Sequence, residues 1–422
     1  MGAPVQVTQH APGENFHFYP HFLPDGEHFL YTIDEPPGVY VGSVAGDPGP
    51  LERKVVMPGF ASVAYVPDLR SEGGHLLFAR DGSLYAQPFD IDSFDVRGEP
   101  VSIATEIGNT TAQEPSQFSV SRTGILTTVA ATLSAVSIVS RGGGVLGMTG
   151  ERGPYGTMRP SPDGDRVLLL RAEPGGQTFE LWLMDLERGT PTRLTNHQAN
   201  APFQAWSPDG SAVAYSSNHG GRLDVFNVYT QRLDGGEAVA IPPSNNRFQS
   251  VSDWTPAGII YGERQSAAVQ HVWLWPAKGG EPLPLVSSPY LNYGATLSPD
   301  QRWLAYVSNE SGADEVYVQS FPAARGKTRI STSGGSSPTW GASGRELFYN
   351  TAGRGLMVVP ILPADDQFAY GRPQLLFDLR TISGFRGAAL WWPARDERFL
   401  VLRPATENAS IHLTFNWPTL LD

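Results

Sequence analysis

The chain has 422 residues, 40% of them hydrophobic, with 46 Gly, 36 Pro and only 17% charged residues. Gly and Pro exceed their usual joint share of roughly 12%, and charge falls below the usual ~25%, which excludes helical bundles and coiled coils; the 11% aromatic residues need a core and exclude disorder. A net charge of −12 without clustered Lys or Arg excludes nucleic acid and anionic membrane surfaces as partners, and zero Cys excludes disulfides, thiolate metal sites and cysteine nucleophiles.

The first segment, MGAPVQVTQH, lacks a basic stretch followed by an apolar run, so no signal peptide is expected. Gln6 breaks the myristoylation pattern. No apolar run reaches the ~18 residues that span a bilayer. The chain therefore reads as a soluble monomer or the soluble piece of a longer protein.

After a lone strand, VQVTQ (5–9), a phrase recurs along the chain. It is FLPDGEHFLYT from Phe22, PSPDGDRVLLL from Pro160, WSPDGSAVAYSSN from Trp206 and LSPDQRWLAYVSN from Leu297, with degenerate copies between and after them. Anchored on the Pro position, the copies sit at Pro24, Pro67, Arg122, Pro162, Pro208, Pro256, Pro299, Ala342 and Ala394. Two places upstream stand Phe22, Tyr65, Val120, Pro160, Trp206, Trp254, Leu297, Trp340 and Trp392, an apolar column. Within the fifth copy four strands are separated by PDG, NHGG and DGGE, turn chemistry of the hairpin type. Four-stranded units at this period, each with a recurrent aromatic, predict an all-β, single-domain, closed β-propeller of nine blades. Eight is the alternative, if the irregular second and third copies merge. The expected units are residues 10–56, 57–108, 109–152, 153–197, 198–244, 245–288, 289–332, 333–381 and 382–422. The last leaves room for too few strands, so strand 5–9 is expected to complete it and close the ring.

The phrases WSPDGSAVAYSSN and LSPDQRWLAYVSNESGADEVYVQSFP resemble the TolB-like subclass of WD-type propeller repeats. With GHLLFARDGSLYAQPFDIDSFDVRGEPVSIA, FSVSRTGILTTVA, LERGTPTRLT and the closing LTFNWPTLL, the series is similar to the propeller regions of bacterial, acidobacterial-type eukaryotic-like serine/threonine kinases. The resemblance implies a sensor module, extracytoplasmic if it derives from a membrane-anchored kinase. No kinase catalytic loop, Gly-rich nucleotide loop or Asp-Phe-Gly segment is present, so kinase activity does not follow.

Few motifs carry chemistry. Arg325–Thr328 (RGKT) lacks the upstream Gly of a phosphate loop, and no G-x-S-x-G or H-E-x-x-H occurs. The recurrent Asp25, Asp163, Asp209 and Asp300 read as turn carboxylates rather than as an acidic site. Trp206, Trp254, Trp340 and Trp392 read as blade-to-blade packing, whereas Trp391 breaks the alternation and is expected to be partly exposed. Residues just upstream of each innermost strand should line the channel mouth: His17, Phe60, Glu114, Tyr155, Asn200, Gln249, Asn292 and Arg386. Tyr155, Gln249, Arg386 and Trp391 are the ligand-binding candidates. Glu114, Asn200 and Asn292 supply oxygens of the type Ca²⁺ takes, with His17 or Glu114 as base or nucleophile. Two functions follow. One is a binding or sensing module for a small molecule, peptide or protein at the channel face. The other is a Ca²⁺-dependent hydrolase of esters, lactones or phosphotriesters.

Overall fold

In the computed structural model of the chain the described residues are 5–11, 14, 17–34, 36–46, 53–59, 61–68, 73–80, 82–105, 107–108, 118–121, 123–130, 133–173, 178–196, 203–219, 225–241, 247–352, 355–364, 367–383, 391–394, 396–405 and 411–421. They form an all-β protein of many four-stranded antiparallel sheets, an arrangement consistent with a β-propeller. No helix among the described residues is long and apolar enough to cross a membrane.

One local logic builds the repeated hairpin. In WSPDG the Asp209 carboxylate accepts the Ser211 N–H (3.0 Å) and the Ser207 hydroxyl (2.6 Å), while Gly210 takes a positive φ of 69°. The turn fixes the ladder register, placing Trp206 opposite Val213. Asp25, Asp163 and Asp300 accept backbone N–H groups from Glu27, Asp165 and Arg302 in the same way. These acids are turn formers, as their spacing predicts.

The chain divides into two compact units, where the repeat led us to expect one domain. The first takes Met1–Thr132, Ala172–Thr178 and Asn408–Asp422. It holds sheet 1 (residues 17–58), sheet 2 (63–105) and a three-stranded sheet 3 made of Phe118–Val120, Leu126–Val129 and Ile411–Thr414. Leu30, Val39, Leu76 and Phe78 pack sheet 1 on sheet 2; Leu77, Leu84, Leu126 and Trp417 pack sheet 2 on sheet 3.

The second unit takes Leu133–Arg171 and Phe179–Glu407. Sheet 4 draws on both of its ends, in the order Val145–Gly153, Ser134–Val139, Phe399–Pro404, Trp391–Pro393. Sheets 5 to 9 are local and cover residues 155–193, 203–240, 249–286, 292–329 and 336–378. Apolar clusters join sheet 4 to 5 (Val136, Leu402, Met158, Leu169), 5 to 6 (Leu168, Leu181, Trp206, Val213), 6 to 7 (Ala214, Val228, Val251, Tyr261), 7 to 8 (Ile260, Val272, Leu297, Tyr306) and 8 to 9 (Trp303, Val318, Trp340, Leu347). A sixth cluster, with Val139, Phe348, Trp391 and Phe399, joins sheet 9 to sheet 4.

Two expectations are corrected. Residues 5–9 form no strand; Val7 packs instead on Phe29, Tyr31, Ile33 and Tyr40 of sheet 1, and Gln9 offers its carbonyl to the Arg53 guanidinium. The expected units 109–152 and 382–422 also do not keep their strands to themselves. Ser134–Val139 pairs with Phe399–Pro404, and Leu126–Val129 pairs with Ile411–Thr414, so the third and ninth copies interlock. Pairing across the chain supplies the strands that a short final copy lacks.

Candidate functional site

Phe60, Glu114, Asn200 and Arg386 lie outside the described residues. Of the others, His17 belongs to the first unit and Tyr155, Gln249, Asn292 and Trp391 to the second. Trp391 is only 3% exposed, against expectation. The tandem tryptophans split between two neighbours: Trp391 donates its indole N–H to Asn350 Oδ1 of sheet 9 (2.5 Å), and Trp392 donates to Met158 O of sheet 5 (2.8 Å).

His17 starts the first strand of sheet 1. Its Nε2 lies 3.1 Å from Glu14 Oε2, and Arg53 Nη1 donates to both Glu14 oxygens at 2.8 Å. The His10 ring stands 4.5 Å away, and His17 Nδ1 is buried without a partner. Burial pulls the His17 imidazole below its usual range against the Glu14 carboxylate. Burial alone would raise Glu14, but the Ala11 N–H, Arg53 and His17 outweigh it and hold the carboxyl low. The group anchors the N-terminal segment to sheet 1.

Tyr155, Gln249 and Asn292, expected just upstream of the innermost strands, are instead the first residues of those strands, and all three are buried. Asn292 Nδ2 donates to Gln270 O (3.0 Å), Ser288 Oγ (2.9 Å) and Tyr290 O (3.0 Å), leaving Oδ1 buried and unpartnered. Gln249 Nε2 donates to Glu263 Oε2 (3.3 Å), leaving its Oε1 likewise unpartnered. Gly262 makes room here: a Cβ would stand 2.3 Å from Gln270 Nε2 and 2.8 Å from Ser250 Oγ. Glu263 accepts from Arg247 and Gln265 as well. Ca²⁺ takes six to eight oxygens, and Glu114 and Asn200, expected beside Asn292, lie outside the described residues. Among the described residues no group of three His, Cys, Asp or Glu could hold a metal ion.

A bulge follows in the first strands of sheets 5, 7, 8 and 9, between Tyr155 and Thr157, Val251 and Asp253, Tyr293 and Thr296, and Ser336 and Thr339. Such bulges re-aim the side chains beyond them. Beyond them Arg159 of sheet 5 reaches past sheet 6 to Asp253 of sheet 7, with Nη2 3.2 Å from Oδ1. Asp253 Oδ2 also accepts Thr296 Oγ1 (3.2 Å) and the Leu297 N–H (3.1 Å) of sheet 8. The guanidinium carbon lies 3.9 Å from the centre of the Trp392 ring of sheet 4. Burial pulls the Arg159 pKa down while Asp253 opposes it. One charge pair thus ties four sheets together. Three places before the anchors, the second unit carries Arg159, Ala205, Asp253, Thr296, Thr339 and Trp391. Two opposite charges in that neutral column were the signal that would have found the pair.

Residues 148–343, within the second unit, match the TolB beta propeller domain family, PD40. The uncharacterized protein Atu1656 of Agrobacterium fabrum is 24% identical over 237 residues, 56% of this chain and 60% of that protein. The uncharacterized peptidase YuxL of Bacillus subtilis is 24% identical over 37% of this chain and 30% of its own, and the Tol-Pal system protein TolB of Bordetella pertussis is 25% identical over 34% and 32%. The chain therefore spans less than two thirds of each of these relatives. Among solved structures, a putative TolB from Agrobacterium tumefaciens aligns with a TM-score of 0.49 and 21% identity over 65% of this chain and 99% of that one. TolB from Acinetobacter baumannii gives 0.44 and 13% over 84% and 81%. Over residues 148–343, then, the chain is similar to the TolB-like β-propeller repeats of the PD40 family.

Proposed function

We propose that the second unit is a closed six-bladed propeller serving as a binding module, with its ligand, a small molecule or peptide, received between the first strands of sheets 4 to 9. The observation that carries this reading is the Arg159–Asp253 pair. It links two sheets that are not neighbours, which supports an arrangement of the sheets around a shared axis. The chain of clusters from sheet 4 through sheet 9 and back to sheet 4 supports closure. A pair fixed there forms a floor, and the buried ends at Gln249 and Asn292 lie four residues upstream, about 13 Å along an extended strand. A rigid polar recess of this kind orients a ligand without supplying a nucleophile.

The sensor role implied by the kinase resemblance belongs to the same reading and rests on that resemblance alone. The hydrolase alternative rests on Glu114 and Asn200, which lie outside the described residues. A thermal-shift panel of small acids, sugars and short peptides should return ligands whose stabilisation is lost in Gln249→Ala. Chromogenic ester and phosphotriester substrates with added Ca²⁺ should show no turnover. Turnover abolished by EDTA would overturn the binding-module reading.

A further inference from the structure

A cavity of about 670 Å³ opens in the second unit at the turn end of sheet 6, opposite the strand ends that carry Gln249 and Asn292. Asp209, Ala212, Arg232, Gly235, Glu237 and Trp254 are among its lining residues. Its origin is visible when the repeat is compared with itself. The ladders set Pro160 opposite Val167 in sheet 5, Trp206 opposite Val213 in sheet 6 and Leu297 opposite Leu304 in sheet 8. Arg166, Ala212 and Trp303 are therefore equivalent residues, each closing its turn through its carbonyl onto Ser161, Ser207 or Ser298.

In sheet 5 that position reaches the next sheet's tryptophan. The Arg166 guanidinium carbon lies 5.0 Å from the Trp206 ring centre, with Nη2 3.2 Å from Asp163 Oδ2 and 3.0 Å from Gly210 O. In sheet 8 the equivalent Trp303 packs in one cluster with Trp340. In sheet 6 the residue is Ala212, too short to reach Trp254, and the space stays open. Trp254 differs from its column too. Trp206, Trp340 and Trp392 donate their indole N–H groups to Arg159 O, Thr296 O and Met158 O, whereas among the described residues the Trp254 indole N–H meets no acceptor.

We infer that this cavity binds a small molecule bearing an alkylguanidinium group, which stacks on Trp254 and pairs with Asp209 as Arg166 stacks on Trp206 and pairs with Asp163. Three observations fit that chemistry. Ser207 and Ser211 hold the Asp209 carboxyl down to about 2, so it is ionised at any working pH. Glu237 adds a second carboxylate to the lining. Arg232, the cation in the wall, is held bidentately by Asp234 (3.0 and 2.5 Å), which offsets its charge. An indole face with a carboxylate beside it favours a planar cation over a neutral group. The site is separate from the recess of the proposed function and stands or falls without it.

The test follows the Trp254 indole ¹H–¹⁵N resonance, identified by its loss in Trp254→Leu, during titration with n-butylguanidinium. A saturable shift is expected, at least tenfold weaker in Ala212→Arg, which would fill the space from within. The neutral isostere n-butylurea should give no saturable shift. Asp209→Asn, a milder change should Ala212→Arg not fold, should weaken the titration severalfold. Absence of a saturable shift in the unmodified protein, an equal response to the urea, or unchanged binding in the folded Ala212→Arg or Asp209→Asn protein would overturn the inference.

Discussion

The two units are built from the same repeat, yet they bury their charge in different places. In the second unit the deepest pair, Arg159–Asp253, lies among the first strands and connects sheets distant in sequence. In the first unit the deepest pair, Arg53–Glu14, with side chains only 1% and 7% exposed, fastens an irregular N-terminal segment to sheet 1. Apolar clusters run through all six sheets of the second unit and return to the start, whereas in the first unit they join three sheets in a row. The same hairpin logic therefore makes sheets in both units, and what each sheet packs against decides where an ion pair is needed. Repetition fixes the sheet; only contacts between distant copies fix the assembly.

The largest effects should come from breaking these pairs one partner at a time, because the remaining charge is left buried and uncompensated. Arg159→Met and Arg53→Met are each expected to cost about 3–5 kcal/mol by urea unfolding. Amide exchange separates them: Arg159→Met should expose sheets 5, 7 and 8, and Arg53→Met should expose sheet 1. If both variants loosened the same sheets, the division of roles between the units would be wrong.

A smaller loss is expected from Trp206→Phe. It keeps most of the ring but orphans the Arg159 carbonyl, at a cost of about 1–3 kcal/mol. The matching Trp254→Phe should cost less, since that indole has no acceptor among the described residues to lose. Equal destabilisation would argue that the Trp254 column position is packed like the rest.

Acid should also distinguish the units. The folded His17 pKa lies below its unfolded value of roughly 6.5, so its contribution is present above that pH and is lost as pH falls toward the folded pKa. Glu14, held low overall, contributes above its unfolded value of roughly 4.3 and loses that below it. Amide protection in sheet 1 should therefore begin to fall below about pH 6.5 while sheets 5 to 9 hold, and His17→Gln should flatten that first step. The smallest change expected is for Asp209→Asn, a turn acid at the surface, which should move the unfolding midpoint least of the set.

Much of this architecture was legible in the sequence because it is local. An Asp two residues before a backbone N–H, a Gly that accepts positive φ and alternating apolar residues act within a single hairpin, and Asp25, Asp163, Asp209 and Asp300 do what their spacing predicts. The pairing of Ser134–Val139 with Phe399–Pro404 left no such mark, since strands far apart in sequence share no turn to announce them. The candidate site was legible only in outline. Gln249 and Asn292 are the first residues of their strands rather than upstream of them, and their burial depends on neighbouring sheets. The contrast between PDGDR and PDGSA was visible in the sequence, yet its meaning needed the ladder register that makes Arg166 and Ala212 equivalent.

The central claim is that the second unit closes through a sheet shared by its two ends. The absence of native Cys allows a direct test, since Ala135 and Arg403 face each other in that sheet. With both replaced by Cys, oxidation of the folded protein should form a disulfide in essentially every molecule, raise the unfolding midpoint and leave sheet protection intact. Two thiols that remain reduced under oxidation, or that cross-link only between molecules, would contradict the shared sheet and with it the closed six-bladed unit.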